Sequence, residues 1–172
     1  GAGTLTLNGG TLQLANNSGL NFGRNTTVGG SVTIESDTVT AASAGVTHTL
    51  GTLSIGAQTL TINSGANVNA DSAYGVIFGA TTLTGAPTLT VNNNGSGIGT
   101  LTLGALGDGV VARTITKDGA GSLTLATAAT SLVTGSAVNL DAGTLNSNHA
   151  TALGSLANVT LASGATFVLG AS

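Results

Sequence analysis

The chain has 172 residues, of which nine are charged (three Lys or Arg, six Asp or Glu), 28 are Gly, one is Pro and none is Cys or Met. A mean hydropathy of +0.42 with so little charge excludes an intrinsically disordered chain, and Gly without a three-residue period excludes collagen. Three cations, Arg24, Arg113 and Lys117, cannot neutralise a phosphate track, no apolar run reaches the roughly 18 residues of a membrane helix, and no thiolate is present for a disulfide or metal site.

In chain order, aliphatic residues alternate with Thr, Ser or Asn in Thr4-Leu5-Thr6-Leu7, Thr11-Leu12-Gln13-Leu14, Ser31-Val32-Thr33-Ile34, Thr59-Leu60-Thr61-Ile62, Thr88-Leu89-Thr90-Val91, Thr100-Leu101-Thr102-Leu103, Ser122-Leu123-Thr124-Leu125, Val138-Asn139-Leu140 and Val159-Thr160-Leu161. Such alternation predicts half-buried strands with the aliphatics on one face. Weaker runs at Leu20-Asn21-Phe22, Val46-Thr47-His48, Leu53-Ser54-Ile55, Val76-Ile77-Phe78 and Phe167-Val168-Leu169 bring the strand spacing to about seven to nine residues. Only Ala126–Ala129 and Asn148–Leu153 tolerate a helix, and both are too short to stand alone.

Three features favour a β-solenoid over a sandwich. The Gly and Asn turns read as two to four residues of nearly constant length, the inward set is aliphatic, and the modules Gly3–Leu7, Gly99–Leu103 and Gly121–Leu125 repeat one another. The predicted fold is all-β, a single continuous parallel β-helix over residues 1–172; if three strands make a coil of roughly 20 to 25 residues, the chain holds about seven or eight coils, and the sequence leaves the number of strands per coil open. Asn16, Asn17, Asn63, Asn67, Asn69 and Asn92–Asn94 are expected at corners, in left-handed backbone or in amide ladders between coils.

From Arg113 onward a sharper pattern stands out: Ile115-Thr116-Lys117-Asp118-Gly119-Ala120-Gly121-Ser122-Leu123-Thr124-Leu125, then Ala142-Gly143-Thr144-Leu145, Ala152-Leu153-Gly154-Ser155 and Val159–Phe167. It resembles the autotransporter-associated β-strand repeat of very large secreted passenger proteins of Gram-negative bacteria. That repeat opens with Lys-x-Gly-x-Gly-x-Leu-x-Leu. The resemblance covers the part of the chain that follows Arg113, and it implies a right-handed parallel β-helix, secretion to the cell surface, and a structural or adhesive role. It carries over no catalytic residue.

The six acids, Glu35, Asp37, Asp71, Asp108, Asp118 and Asp141, are scattered. A polysaccharide-active β-helix needs clustered carboxylates, and Glu35 with Asp37 reads instead as a solvated pair on one strand face. Asp118, Lys117 and Arg113 read as a surface charge cluster. His48 lies on the apolar phase as a satisfied interior or corner side chain, and His149 has no partner in sequence. Gly95–Gly99 and Gly119–Gly121 lack the residues that make a phosphate loop. No catalytic, cofactor or metal residue is assigned, and no enzyme activity is expected.

The Thr-x-Thr pairs Thr4/Thr6, Thr38/Thr40, Thr47/Thr49, Thr59/Thr61, Thr88/Thr90, Thr100/Thr102 and Thr114/Thr116 raise the alternative of an ice-binding solenoid. Their spacing is irregular, wide from Thr4 to Thr38 and from Thr59 to Thr88 but narrow from Thr38 to Thr47, which does not rank all of them on one face of equal coils. Both ends, Gly1–Leu5 and Phe167–Ser172, fall inside modules and carry no protective cap or charge. The expectation is therefore a piece of a longer or tandem chain, located extracellularly, that stacks on copies of itself as a surface fibre, filament or sheath. An adhesin stalk with a cell-surface glycan as possible partner is the alternative; nucleic acid is not a partner, and this segment does not insert in a membrane.

Overall fold

A strand with one aliphatic and one hydroxylated face must cover the aliphatic face, and a chain made almost entirely of such strands can do so by coiling around a shared interior. The computed structural model, which describes residues 3–129, 132–154 and 158–170, has this arrangement. Its first coil holds β1 (Leu5–Leu7) and β2 (Thr11–Ala15), and the second β3 (Thr26–Val28), β4 (Val32–Asp37) and β5 (Thr47–Thr49). The third holds β6 (Leu53–Ile55), β7 (Thr59–Ser64) and β8 (Tyr74–Phe78), and the fourth β9 (Thr81–Leu83), β10 (Thr88–Val91) and β11 (Gly99–Leu103). The fifth comprises β12 (Leu106–Gly107), β13 (Thr114–Asp118) and β14 (Ser122–Leu125); the sixth and seventh contribute β15 (Ala137–Leu140), β16 (Thr144–Ser147), β17 (Asn158–Leu161) and β18 (Thr166–Leu169).

Three sheets run along the axis, ordered β1-β3-β6-β9-β12, β2-β4-β7-β10-β13-β15-β17 and β5-β8-β11-β14-β16-β18. Neighbouring strands pair in parallel, so each inward side chain stands on its counterpart one coil away. On the second sheet one stack reads Val32, Leu60, Leu89, Lys117, Leu140, Leu161. On the third it reads His48, Val76, Leu101, Leu123, Leu145, Phe167. The first sheet alternates, with Leu5, Thr26, Leu53, Thr81 and Leu106 in file.

The all-β parallel solenoid of seven coils agrees with the sequence expectation; the turns do not. Only three residues separate β6 from β7, whereas nine separate β4 from β5 and nine separate β7 from β8. Coil length varies accordingly: Leu5 pairs with Thr26, but Thr59 pairs with Thr88, a distinctly longer circuit of chain. From β11 on, the third sheet settles to a constant interval, with Thr100, Ser122, Thr144 and Thr166 in file.

Among the described residues the sixth and seventh coils add no strand to the first sheet, so three strands per coil does not hold throughout. Where that sheet stops, the buried Asp108 carboxylate accepts the Val133 N–H at 3.1 Å and the Ser136 hydroxyl, and the Ser136 oxygen accepts the Arg113 N–H at 3.2 Å. Side-chain acceptors thus replace the missing ladder. The Ala126–Ala129 segment is not helical, and after Asn148 the chain makes turns closed by Ala152 N–H to His149 O at 3.0 Å and Gly154 N–H to Thr151 O at 2.9 Å. The end expectations at Gly1, Ala2, Ala171 and Ser172, and Ser155 of the repeat pattern, lie outside the described residues.

Candidate functional site

The Lys-x-Gly-x-Gly-x-Leu-x-Leu pattern occupies the arc from β13 to β14, and its residue types have physical reasons. Lys117 is fully buried in the aliphatic stack between Leu89 and Leu140, and not on the surface as expected. Its ammonium reaches the corner and donates to Asp118 O and Gly119 O, each at 2.7 Å, and to Ala142 O at 3.2 Å, which uses all three donors. Burial lowers its pKa to about 8, partly opposed by the Asp118 charge. Gly119 has φ of 76°, and a Cβ on Gly121 would stand 2.6 Å from Gly99 O, so coils meet here too closely for any side chain. Leu123 and Leu125 then enter the core.

Asp118 is exposed, and Arg113 is half-buried with its Nε enclosed and without a hydrogen-bond partner. The expected surface charge cluster is therefore replaced by one interior lysine serving as a tie between coils.

The second concentration of polar groups is the corner after β4. Asp37 is 0% exposed, so it does not form a solvated pair with Glu35. Its carboxylate accepts Gln13 Nε2 at 2.5 Å from the coil before, Asn67 N–H at 3.0 Å from the coil after, and its neighbour Thr38 N–H at 2.8 Å. Gly65 lies against this carboxylate, with no room for a Cβ. His48 is also 0% exposed: its Nδ1 accepts Leu20 N–H at 3.1 Å, which leaves Nε2 to donate to Asp37 O at 2.8 Å. Phe22 packs edge-on against the ring, centroids 5.5 Å apart. This is the satisfied interior histidine that its apolar phase predicts.

Asparagines hold corners, though not by left-handed backbone: among the described residues the non-Gly positions with positive φ are Ala42 and Asp71. Asn92 Nδ2 donates to Asn63 Oδ1 at 2.8 Å across one coil, a rung of the expected ladder, while Asn17 Oδ1 accepts Val39 and Thr40 N–H at 2.8 and 3.0 Å. Asp71 accepts Ser96 N–H at 2.6 Å, which holds its carboxyl below the usual range. The Tyr74 hydroxyl lies 3.1 Å from Ile62 O and 2.5 Å from Asn92 O, and burial raises its pKa to about 12. The His149 imidazole Nδ1 accepts the Thr151 N–H at 3.2 Å and lies 3.1 Å from the Thr151 hydroxyl. Among the described residues no group of three His, Cys, Asp or Glu could hold a metal, and no helix is long and apolar enough to cross a membrane.

Linear spacing hides the order on the outer face of the second sheet. Thr11, Thr33, Thr61 and Thr90 stand in one rank, followed by Asp118. Thr59, Thr88, Thr116, Asn139 and Thr160 stand in a second. The Thr-x-Thr pairs of the sequence belong to different sheets: Thr47/Thr49 and Thr100/Thr102 lie on the third, Thr59/Thr61 and Thr88/Thr90 on the second. Unequal coils align within a sheet what counting along the chain could not.

Comparison with protein-family models, with curated proteins and with solved structures gives no match.

Proposed function

We propose that this chain is a structural segment of an extracellular bacterial surface fibre, filament or sheath, in which coils continue from one copy to the next by parallel β stacking. The observation that supports the reading most is the in-register parallel stacking that runs through all seven coils, a ladder that a coil of a neighbouring copy can extend. Leu161 and Leu169 are 46% and 76% exposed, whereas Leu140 and Ser147, at the same stack positions one coil earlier, are 0% and 3% exposed. A further coil, from the chain's own continuation or from a copy, removes that apolar surface from water at roughly 25 cal/mol per Å² and pairs the outer edges of β17 and β18. At the opposite end the half-buried Leu5 and Leu12 head two of the stacks.

Sparse charge gives such contacts little self-repulsion to overcome. The extracellular setting rests on the repeat resemblance, whose Lys, Gly and Leu positions each have a packing role in the β13–β14 arc. Sedimentation velocity over a concentration series tests the proposal. Elongated species that grow with concentration, and that a Leu161→Lys/Leu169→Lys double variant abolishes, are expected. A compact monomer at every concentration, or a double variant that assembles as readily, overturns it.

A further inference from the structure

We infer that the outer face of the second sheet is an ice-binding surface, a function separate from axial stacking and independent of it. Four features of the threonine ranks carry this. Register is the first: Thr33, Thr61 and Thr90 succeed one another coil by coil, as do Thr59, Thr88 and Thr116, so the hydroxyls form a two-row lattice. Strand geometry sets its repeats at about 4.8 Å along the axis and about 6.7 Å across it, close to the oxygen repeats on surface planes of hexagonal ice.

The second feature is availability. Among the described residues none of the hydroxyls of Thr33, Thr59, Thr61, Thr88, Thr90 and Thr116 bonds to another protein group, whereas those of Thr26, Thr38 and Thr81, off this face, donate to backbone carbonyls. The third is rigidity. A β-branched side chain on a strand has few χ1 rotamers, and each Thr here is flanked by at least one buried Leu, Ile or Val that pins the strand. The hydroxyls and methyls are therefore pre-positioned and lose little entropy when water orders on them.

The fourth is shape. Between the ranks, in the first three coils, lies an open trough of about 170 Å³ lined by Gly10, Ser31, Val32, Thr33, Thr59 and Thr61. Ser31 continues the second rank, its Oγ accepting the Thr59 N–H at 3.2 Å. A trough between fixed hydroxyl rows accommodates a file of waters held from both sides. The charges bordering the ranks are Glu35, beside Thr33, and Asp118, after Thr90, so the central lattice is neutral.

Fluorescently labelled chain frozen slowly from dilute solution, with labelled serum albumin as the excluded control, reads the partition into ice directly. The expected result is enrichment of the chain in the ice fraction and faceted crystal growth. Thr61→Lys, in the centre of the lattice, is expected to return the partition to the albumin background, while Thr102→Lys, equally half-buried on the third sheet, retains it. Circular dichroism melts of both variants confirm that they fold, and Thr90→Lys provides a second lattice variant if Thr61→Lys does not. Exclusion of the unsubstituted chain from ice overturns the inference, as does loss on Thr102→Lys with retention in a folded Thr61→Lys or Thr90→Lys.

Discussion

At the scale of single residues, the informative positions are polar groups placed where a uniform solenoid would have aliphatics. Lys117 occupies a Leu position of its stack, and its lowered pKa links it to stability. Between about 8, its value in the fold, and 10.5, its ordinary value, the unfolded chain binds more protons than the folded one, so stability rises with pH across that window. Tyr74 acts in the opposite sense: its pKa is raised from 10.0 to about 12, so stability falls as pH rises between those values. Urea midpoints are therefore expected to climb from pH 8, peak near pH 10 and then decline, and Lys117→Met is expected to remove the climb while keeping the decline. Asp37→Ala leaves the buried Thr38 N–H and the half-buried Asn67 N–H without their acceptor, while the exposed Gln13 amide can turn to water; at about 1–3 kcal/mol for each unsatisfied group, denaturant unfolding should register a loss of about 2 kcal/mol or more. Glu35→Ala, two residues away and only half-buried, should change stability by about 0.5 kcal/mol or less. In the sequence these two carboxylates look equivalent because alternation places them on one face; alternation cannot register that the chain turns inward at Asp37, where Gly65 leaves space for the carboxylate.

At the scale of strands, legibility follows unbroken alternation. Thr88–Val91 and Ser122–Leu125 coincide with β10 and β14, and Leu53–Ile55 with β6, because alternation there is unbroken. β3, β9 and β12 leave no such trace: in β3 and β9, Thr26 and Thr81 face inward where the pattern expects an aliphatic, and β12 has only two residues. The Thr26 and Thr81 hydroxyls are accommodated by donating to Arg24 O and Gly79 O at 3.1 and 3.3 Å. Leu20-Asn21-Phe22 yields only an isolated bridge from Asn21 to Thr49, since Leu20 N–H is diverted to His48. The stacks predict a graded response to truncation. Leu101→Ala, enclosed between Val76 and Leu123, should cost about 2–5 kcal/mol in chemical denaturation; Val110→Ala, 90% exposed on the loop after β12, should stay within about 0.5 kcal/mol.

At the scale of the whole molecule, coil number is legible in the sequence and coil constancy is not. The interior demands only that inward side chains stack, and it places no limit on how far a corner loops out, so coils of unequal length share one continuous core. The ranked threonines follow from this, because register is set by stacking in the sheet and linear spacing between pairs is irrelevant to it. With seven strands in the second sheet at about 4.8 Å each, the rod is roughly 30 Å long, short relative to the fibre proposed for it. The proposed fibre extends that rod by coils of one copy continuing those of the next. Electron cryo-microscopy of the chain at high concentration tests this most directly. Unbranched filaments are expected, with an axial reflection near ~4.8 Å that runs without interruption across copy boundaries. A field of isolated short particles, with no filaments at any concentration, would contradict it.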